Sequence, residues 1–375
     1  MGPAYVVPKL LFPSNVIGRL PTLSPPFINP DDAARFAHEL IGDHRDAEYG
    51  GVILKNAEGR YLASRPEKVA GDRFNVTQFI STTASGQLLQ PPGFTCYAFY
   101  SSRKHLLAAE QTPFAGVKNE DVHFLANFFL PADIQSILIM ASFTPAHYLS
   151  GFNGSLVKVQ ASATPGESDL YDFLAHAQED SELLHEMIQF IKQVTETLHV
   201  SVIQSADVWA GHVGQLTPAF FATSRPPRVV EGVIVQRPAF GPLLTSEQLA
   251  LEYVRSRAVS LTDQQYGFIL KNTKSQAFIV SQPVTGVMDF DLGRAFPPGI
   301  NGEPELPSGF AIFALYGCDG EYRDPALMPP HQPTVYKNFM HPESLEKAIL
   351  KARELTPTGN INSVPIYIVA LMEPC

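Results

Sequence analysis

The chain repeats itself. The stretch "EYGGVILKN" (Glu48 to Asn56) returns as "QQYGFILKN" (Gln264 to Asn272), with five of nine positions identical at a shift of 216. The same shift carries "GFTCYAFY" (Gly93 to Tyr100) onto "GFAIFALY" (Gly309 to Tyr316), with four of eight identical. Both copies keep the interval between these segments with no net insertion. A repeat is read before any single motif, because it fixes how many times one structural unit is built.

The match extends in both directions. Upstream, "DDAARFAHEL" (Asp31 to Leu40) lies opposite "EQLALEYVRS" (Glu247 to Ser256), and both read as short amphipathic helices. Downstream, "NFFLPADIQSIL" (Asn127 to Leu138) resembles "NFMHPESLEKAI" (Asn338 to Ile349) at a shift of 211. Each then runs into a strand, "GSLVKVQA" (Gly154 to Ala161) and "VPIYIVAL" (Val364 to Leu371), the first after an Asn153-Gly154 turn signal. One unit reads helix, strand, hairpin partner, long loop, strand ending at Tyr100 or Tyr316, variable loop, helix, strand. That mixture predicts an α/β (α+β) domain around one sheet. Between the copies, Leu184, Met187, Ile188, Ile191, Val194 and Leu198 form a helical stripe. The prediction is therefore a first domain over 1–218, including a central helix over 167–199, and a second over 219–375. The Pro-punctuated connector around Ala222 to Pro242 holds a strand expected at Val229 to Val235.

A length of 375 residues fits two domains, and 45% apolar residues suffice for sizeable cores. The net charge of −10 argues against a nucleic-acid binder. Three cysteines, Cys96, Cys318 and Cys375, are no disulfide framework and fit a reducing compartment. Pro3, Pro8 and Pro13 interrupt any signal-peptide pattern, and no run approaches 18 apolar residues. The expected location is cytoplasmic, or exported without a cleavable signal peptide, with no membrane span. Cys96, mid-strand, reads as a buried structural thiol, and Cys318, on the polar tip, as exposed. The eleven His show no HExxH or HxH, and "DFDLG" (Asp289 to Gly293) reads as a turn.

At these residues the pattern resembles the JAB/MPN (JAMM) metalloprotease fold. The carriers are the helix, the "E-x-x-G" opening a strand, the aromatic-Tyr before a polar tip, and a later Asp opening a helix. More narrowly it is similar to an uncharacterised JAB-like family met in bacterial toxin and secretion-linked proteins. The resemblance implies two tandem domains with a cytidine-deaminase-like sheet, side by side and related by a pseudo-two-fold. It also implies a Glu general base and one zinc held by two His of a "Tyr-His-x-His" tip and a later Asp. Zinc-activated water would then attack an amide carbonyl.

Carried over residue by residue, Glu48 takes the general-base position and Asp133 stands near the metal Asp. Ser101 and Arg103 occupy the two His positions. In the second copy Gln264 replaces the Glu, Gly317 and Asp319 replace the His pair, and Ser344 falls opposite Asp133. Arg has no lone pair to give and repels a cation, Ser and Gly cannot stand in for imidazole, and Gln cannot act as a base. Neither copy is expected to build the zinc site, so no metal and no cofactor are expected. The other reading of Glu48 is a solvated residue before a strand. A further expectation sets Arg103 beside Glu48 and Asp133 as an ion pair filling the vacated pocket.

Two functions follow from the resemblance. The leading one is a non-catalytic pseudo-enzyme that binds a protein or peptide, toxin- or secretion-associated, with self-association through the repeated unit as one mode. The alternative is a hydrolase or effector of altered chemistry using Glu48 and Asp133.

Overall fold

The computed structural model describes residues 22–69, 79, 90–104, 123–161, 165–177, 187–221, 239–257, 263–296, 304–318, 339–356 and 363–369. The chain divides into two compact units, Met1–Ile234 and Val235–Cys375.

In the first unit, helix α1 (Pro30–Ile41) starts where Asn29 caps it, its Oδ1 accepting from the Asp32 backbone N at 2.8 Å. Pro30 stands in the first turn, where a missing N–H costs nothing. Strand β1 (Tyr49–Asn56) pairs antiparallel with β2 (Tyr61–Ala63), β3 (Glu67–Lys68) and β4 (Phe94–Ser102). After helix α2 (Pro131–Met140), β5 (Ala146–Ser150) returns parallel to β4. Strands β6 (Leu156–Gln160), β7 (His199–Gln204) and β8 (Gly214–Gln215) follow antiparallel, giving the order β2-β1-β4-β5-β6-β7-β8. The β5–β6 connection turns at Gly154, whose φ of 83° favours glycine. Helix α1 covers one face through Ala33, Ala34, Ala37 and Ile41, against Ile53, Ala98, Tyr100 and Tyr148. Helices α2, α3 (Pro165–Ala177) and α4 (Met187–Thr197) build the other core, where Ile134, Leu174 and Phe190 meet Val157, Val159, Val200 and Trp209. The stretch between α3 and α4, inside the expected central helix, lies outside the described residues, as does the expected strand at Val229 to Val235.

The second unit repeats this body. Helix α5 (Glu247–Arg257), β9 (Gln265–Asn272), β10 (Phe278–Val280), β11 (Val284–Thr285), the short α6 (Leu292–Ala295), β12 (Phe310–Cys318), α7 (Pro342–Leu355) and β13 (Ile366–Ile368) follow in order. The sheet runs β10-β9-β12-β13 with β11 beside β9, and β12 and β13 are parallel. Even small features recur. The isolated bridges Leu23↔Ser64 and Phe27↔Tyr61 match Phe240↔Ser281 and Leu244↔Phe278. A bulge interrupts β4 at Tyr97 and β12 at Phe313, so Tyr97 and Ala98 both turn toward α1, and Phe313 and Ala314 toward α5. The chain is thus mixed α/β, with two mixed sheets.

The residues shared by the two copies form one device. Tyr100 lies opposite Gly51, and Tyr316 opposite Gly267. A Cβ on Gly51 would stand 2.4 Å from the Tyr100 hydroxyl, and one on Gly267 2.3 Å from that of Tyr316. Each ring therefore lies across a strand with no side chain beneath it. The Tyr100 hydroxyl donates to the Ser64 carbonyl at 2.6 Å, and that of Tyr316 to Ser281 at 2.7 Å. Each Ser Oγ in turn accepts from a β1 or β9 backbone N–H, Val52 at 3.0 Å and Phe268 at 2.9 Å. Burial pushes both phenols well above the ordinary tyrosine range, so both stay neutral donors.

The strands do not end at these tyrosines, as the sequence suggested. They run two residues further, because Ser102 keeps pairing with Ser150, and Cys318 with Gln265. Cys318 is accordingly buried, which corrects the exposed tip thiol. Asp291 caps α6 by accepting from Gly293 N at 2.8 Å, so "DFDLG" is a turn into a helix.

Gly51→Ala and Gly267→Ala each push a methyl into a buried ring. Each is expected to lower stability by about 1–3 kcal/mol, the usual range for overpacking, measured by urea unfolding.

Candidate functional site

The tip after β4 gathers three of the sequence-named residues. Ser102 at the end of β4 accepts a hydrogen bond from Tyr49 N at 2.9 Å, which fixes the start of β1 and so the preceding Glu48. Arg103 N donates to the Ser150 carbonyl at 3.0 Å, which carries the chain on beside β5. Asp133 lies in the first turn of α2, where its Oδ2 accepts from Leu130 N at 2.8 Å. A carboxylate there also suits the helix dipole.

The Arg103 side chain fills the space between them. One guanidinium nitrogen reaches Glu48 Oε1 at 3.3 Å, and the other pairs with Asp133 Oδ2. Nε and Nη2 also donate to the Phe128 carbonyl, at 3.3 and 3.2 Å. Glu48 is thus not a solvated strand-flanking residue. Its side chain is 19% exposed and that of Arg103 11%. Burial raises the proton affinity of Glu48, the Arg103 cation opposes that, and Asp133 adds to it, leaving Glu48 above its ordinary value. Burial alone would lower that of Arg103, but Asp133 and then Glu48 outweigh it, and the guanidinium stays charged.

Ser101, at the other His position, sits half-buried in β4 between Gly50 of β1 and Leu149 of β5. The zinc site the resemblance implies does not fit these residues. A cation already holds both carboxylates, and the two positions that should offer imidazole lone pairs offer a guanidinium and a hydroxyl. Among the described residues no three His, Cys, Asp or Glu stand close enough to hold a metal ion.

At the second tip the counterparts of Glu48 and Asp133 are joined by a neutral hydrogen bond, Gln264 Nε2 donating to Ser344 Oγ at 3.3 Å. Gly317 is closed in by methionines: a Cβ there would stand 2.9 Å from both Met288 Sδ and Met340 Cε. Asp319 lies outside the described residues.

The structure adds a cluster that no motif announced. His38 of α1, Arg45, Ser150 of β5 and Gln204 of β7 meet in the first unit. His38 Nδ1 is 2.7 Å from Ser150 Oγ, and Arg45 Nη2 donates to the same Oγ at 2.9 Å. The Gln204 amide nitrogen donates to the Gly154 carbonyl at 3.0 Å and lies 3.2 Å from His38 Nε2. Which ring nitrogen carries the proton decides whether His38 donates to or accepts from Ser150 Oγ. Ser150 Oγ is held from two sides, accepting from Arg45 and sharing a hydrogen bond with His38. Burial first, and then Arg45, pull the His38 pKa down to about 4, so the imidazole is neutral at pH 7. The cluster fastens the loop after α1 to the end of β5. His38 and Arg45 lie more than 100 residues from Ser150 in sequence, so no local pattern brings them together.

Comparison with family models, curated proteins and solved structures finds no match for this chain.

Arg103→Met leaves two carboxylates in a poorly solvated pocket. The expected loss at pH 7 is about 3 kcal/mol, the low end for a broken buried pair, because both carboxylates keep some solvent. The loss shrinks at acid pH, where the carboxyls take up protons. In the parent chain the raised Glu48 pKa means the folded state binds more protons than the unfolded one above the ordinary glutamate range. Its contribution to stability therefore falls as pH rises through that raised value. Glu48→Gln should flatten this slope in urea unfolding followed against pH.

Proposed function

We propose that each unit is a JAB/MPN-like body without the family's metal chemistry, and that the chain is a non-catalytic module binding a protein or peptide. The observation that carries this reading is Arg103, a permanent cation hydrogen-bonded to Glu48, Asp133 and the Phe128 carbonyl, where the family places a zinc ligand. Hydrolysis of the family's kind needs an open coordination position and a free carboxylate base. Here the base candidate is engaged, and its second-unit counterpart is an amide hydrogen-bonded to a hydroxyl. What persists across both units is scaffold: the tyrosine device, the bulge, the parallel closing strand.

A second reading has one observation behind it. Glu48 and Asp133 converge on one point, and Glu48 holds its proton more tightly than usual, as a general acid or base would. It is the weaker reading because both carboxylates bind Arg103 rather than face an open cleft.

Purified full-length chain, equilibrated with zinc and dialysed, is expected to hold no stoichiometric metal by mass spectrometry and to leave isopeptide and peptide bonds intact. The Ser101→His/Arg103→His variant, which restores two imidazoles beside Asp133, is expected to take up zinc where the parent does not. Stoichiometric zinc in the parent, with hydrolysis abolished by Glu48→Gln, overturns the proposal. Metal-free hydrolysis lost in both Glu48→Gln and Asp133→Asn would establish the second reading instead.

A further inference from the structure

The two units differ in what lies beyond their parallel closing strand. In the first, β5 is followed on its outer side by β6, and every residue of β5 is buried. In the second, among the described residues, no strand pairs with the outer side of β13, and Ile366, Tyr367 and Ile368 are only half-buried. Toward β12, the Pro365 carbonyl accepts from Leu315 N and Val369 N donates to the Gly317 carbonyl. Backbone groups alternate along a strand, so Ile366 and Ile368 turn theirs to the outer edge.

The helix beside this edge is bare in the same sense. Ile134 of α2 is fully buried in the core it shares with β6 and α4, whereas its counterpart Leu345 of α7 is half-buried and Ile349, one turn further on, is 38% exposed.

The first unit shows what such an edge receives. Tyr148 on β5 donates to Asp31 Oδ1 of α1 at 2.7 Å, and Lys158 from β6, directly across from Tyr148, reaches the same oxygen at 3.0 Å. On either side of Lys158, Val157 and Val159 point into the core under α2 and α4. The second unit holds the matching half: Tyr367 on β13 hydrogen-bonds Glu247 Oε1 of α5. Lys158 and Asp31 shield each other, while Glu247 is exposed.

We propose that the outer edge of β13 is a docking site for an extended segment of a partner polypeptide. The segment runs antiparallel to β13 and carries an apolar–basic–apolar triplet. Its cation meets Glu247 beside Tyr367, and its apolar residues pair with Ile366 and Ile368 and cover Leu345 and Ile349 of α7. Main-chain bonds supply the affinity and the alternating side chains the selectivity, as in other strand-addition interfaces. A second copy is the poorer occupant: β13 against β13 brings no cation and sets two Glu247 carboxylates near each other. This inference rests on the interaction role proposed above and gives it a place and a partner chemistry. The two fail separately, since metal content and hydrolysis decide the first and peptide binding decides this one.

The probe is a labelled synthetic peptide, Ser-Leu-Val-Lys-Val-Gln-Ala, titrated against the full chain by fluorescence anisotropy, with backbone hydrogen exchange read over Ile366 to Val369. Saturable binding is expected, with exchange slowed at β13 and unchanged at β5. A peptide with Glu in place of its Lys should bind about fivefold more weakly, the scale of one partly exposed charge pair. Glu247→Lys should reverse that preference, and the recovered binding of the Glu peptide shows that the variant is folded. The proposal is overturned by absent or charge-blind binding, or by Ile366 and Ile368 amides already protected in the free monomer. It is equally overturned by protection that grows with protein concentration alone, together with a dimer in sedimentation, which assigns the edge to a second copy.

Discussion

A phenol lying across a glycine holds each sheet in register. Tyr100 over Gly51 ties β4 to β1, and its hydroxyl reaches past β1 to the Ser64 carbonyl, so one side chain locks three consecutive pieces of chain. A slip of one residue would swing the ring to the opposite face and leave the Ser64 carbonyl without its donor. The positions that follow are then set by counting. Ser102 meets Tyr49 N, Arg103 meets the Ser150 carbonyl, and the guanidinium arrives between Glu48 and Asp133. The same lock in the second unit delivers Gly317 and Cys318 to their buried places.

On this common body the tips diverge by chemistry. One uses a cation to neutralise two carboxylates that would otherwise repel each other in a poorly solvated pocket. Among its described residues the other closes with an amide, a hydroxyl and two methionines. The flanks diverge as well: β6, β7, α3 and α4 thicken the first unit, while the second stops at β13 among its described residues.

Much of this was legible in the residues. The identical positions in the aligned stretches include the glycine and tyrosine of the lock, which explains why those letters match when their neighbours drift. Ser64 and Ser281 escaped notice because the β1–β2 hairpin is one residue shorter than the β9–β10 hairpin, so the serines align at a shift of 217 rather than 216. The extra residue is recovered before β12, which hides it from any comparison of the flanking segments. Glu48, Arg103 and Asp133 could be named from the resemblance, but not the Phe128 carbonyl, whose role depends on the path between β4 and α2. The His38–Ser150–Arg45 contacts depend on a parallel crossover and have no local signature. The residue pattern ends both strands at the tyrosines, but they run on to Ser102 and Cys318, because pairing with a neighbour outweighs the weak strand preference of small polar residues.

The bulge at Tyr97 has a twin at Phe313, and the same tyrosine, glycine and serine surround each. An irregularity placed alike in the two units sets the same local twist at the same point of each sheet, so both tips leave their strands at equivalent places. The guanidinium on one side and the amide on the other lie outside that shared frame, so either tip can be changed without touching the lock that sets the register.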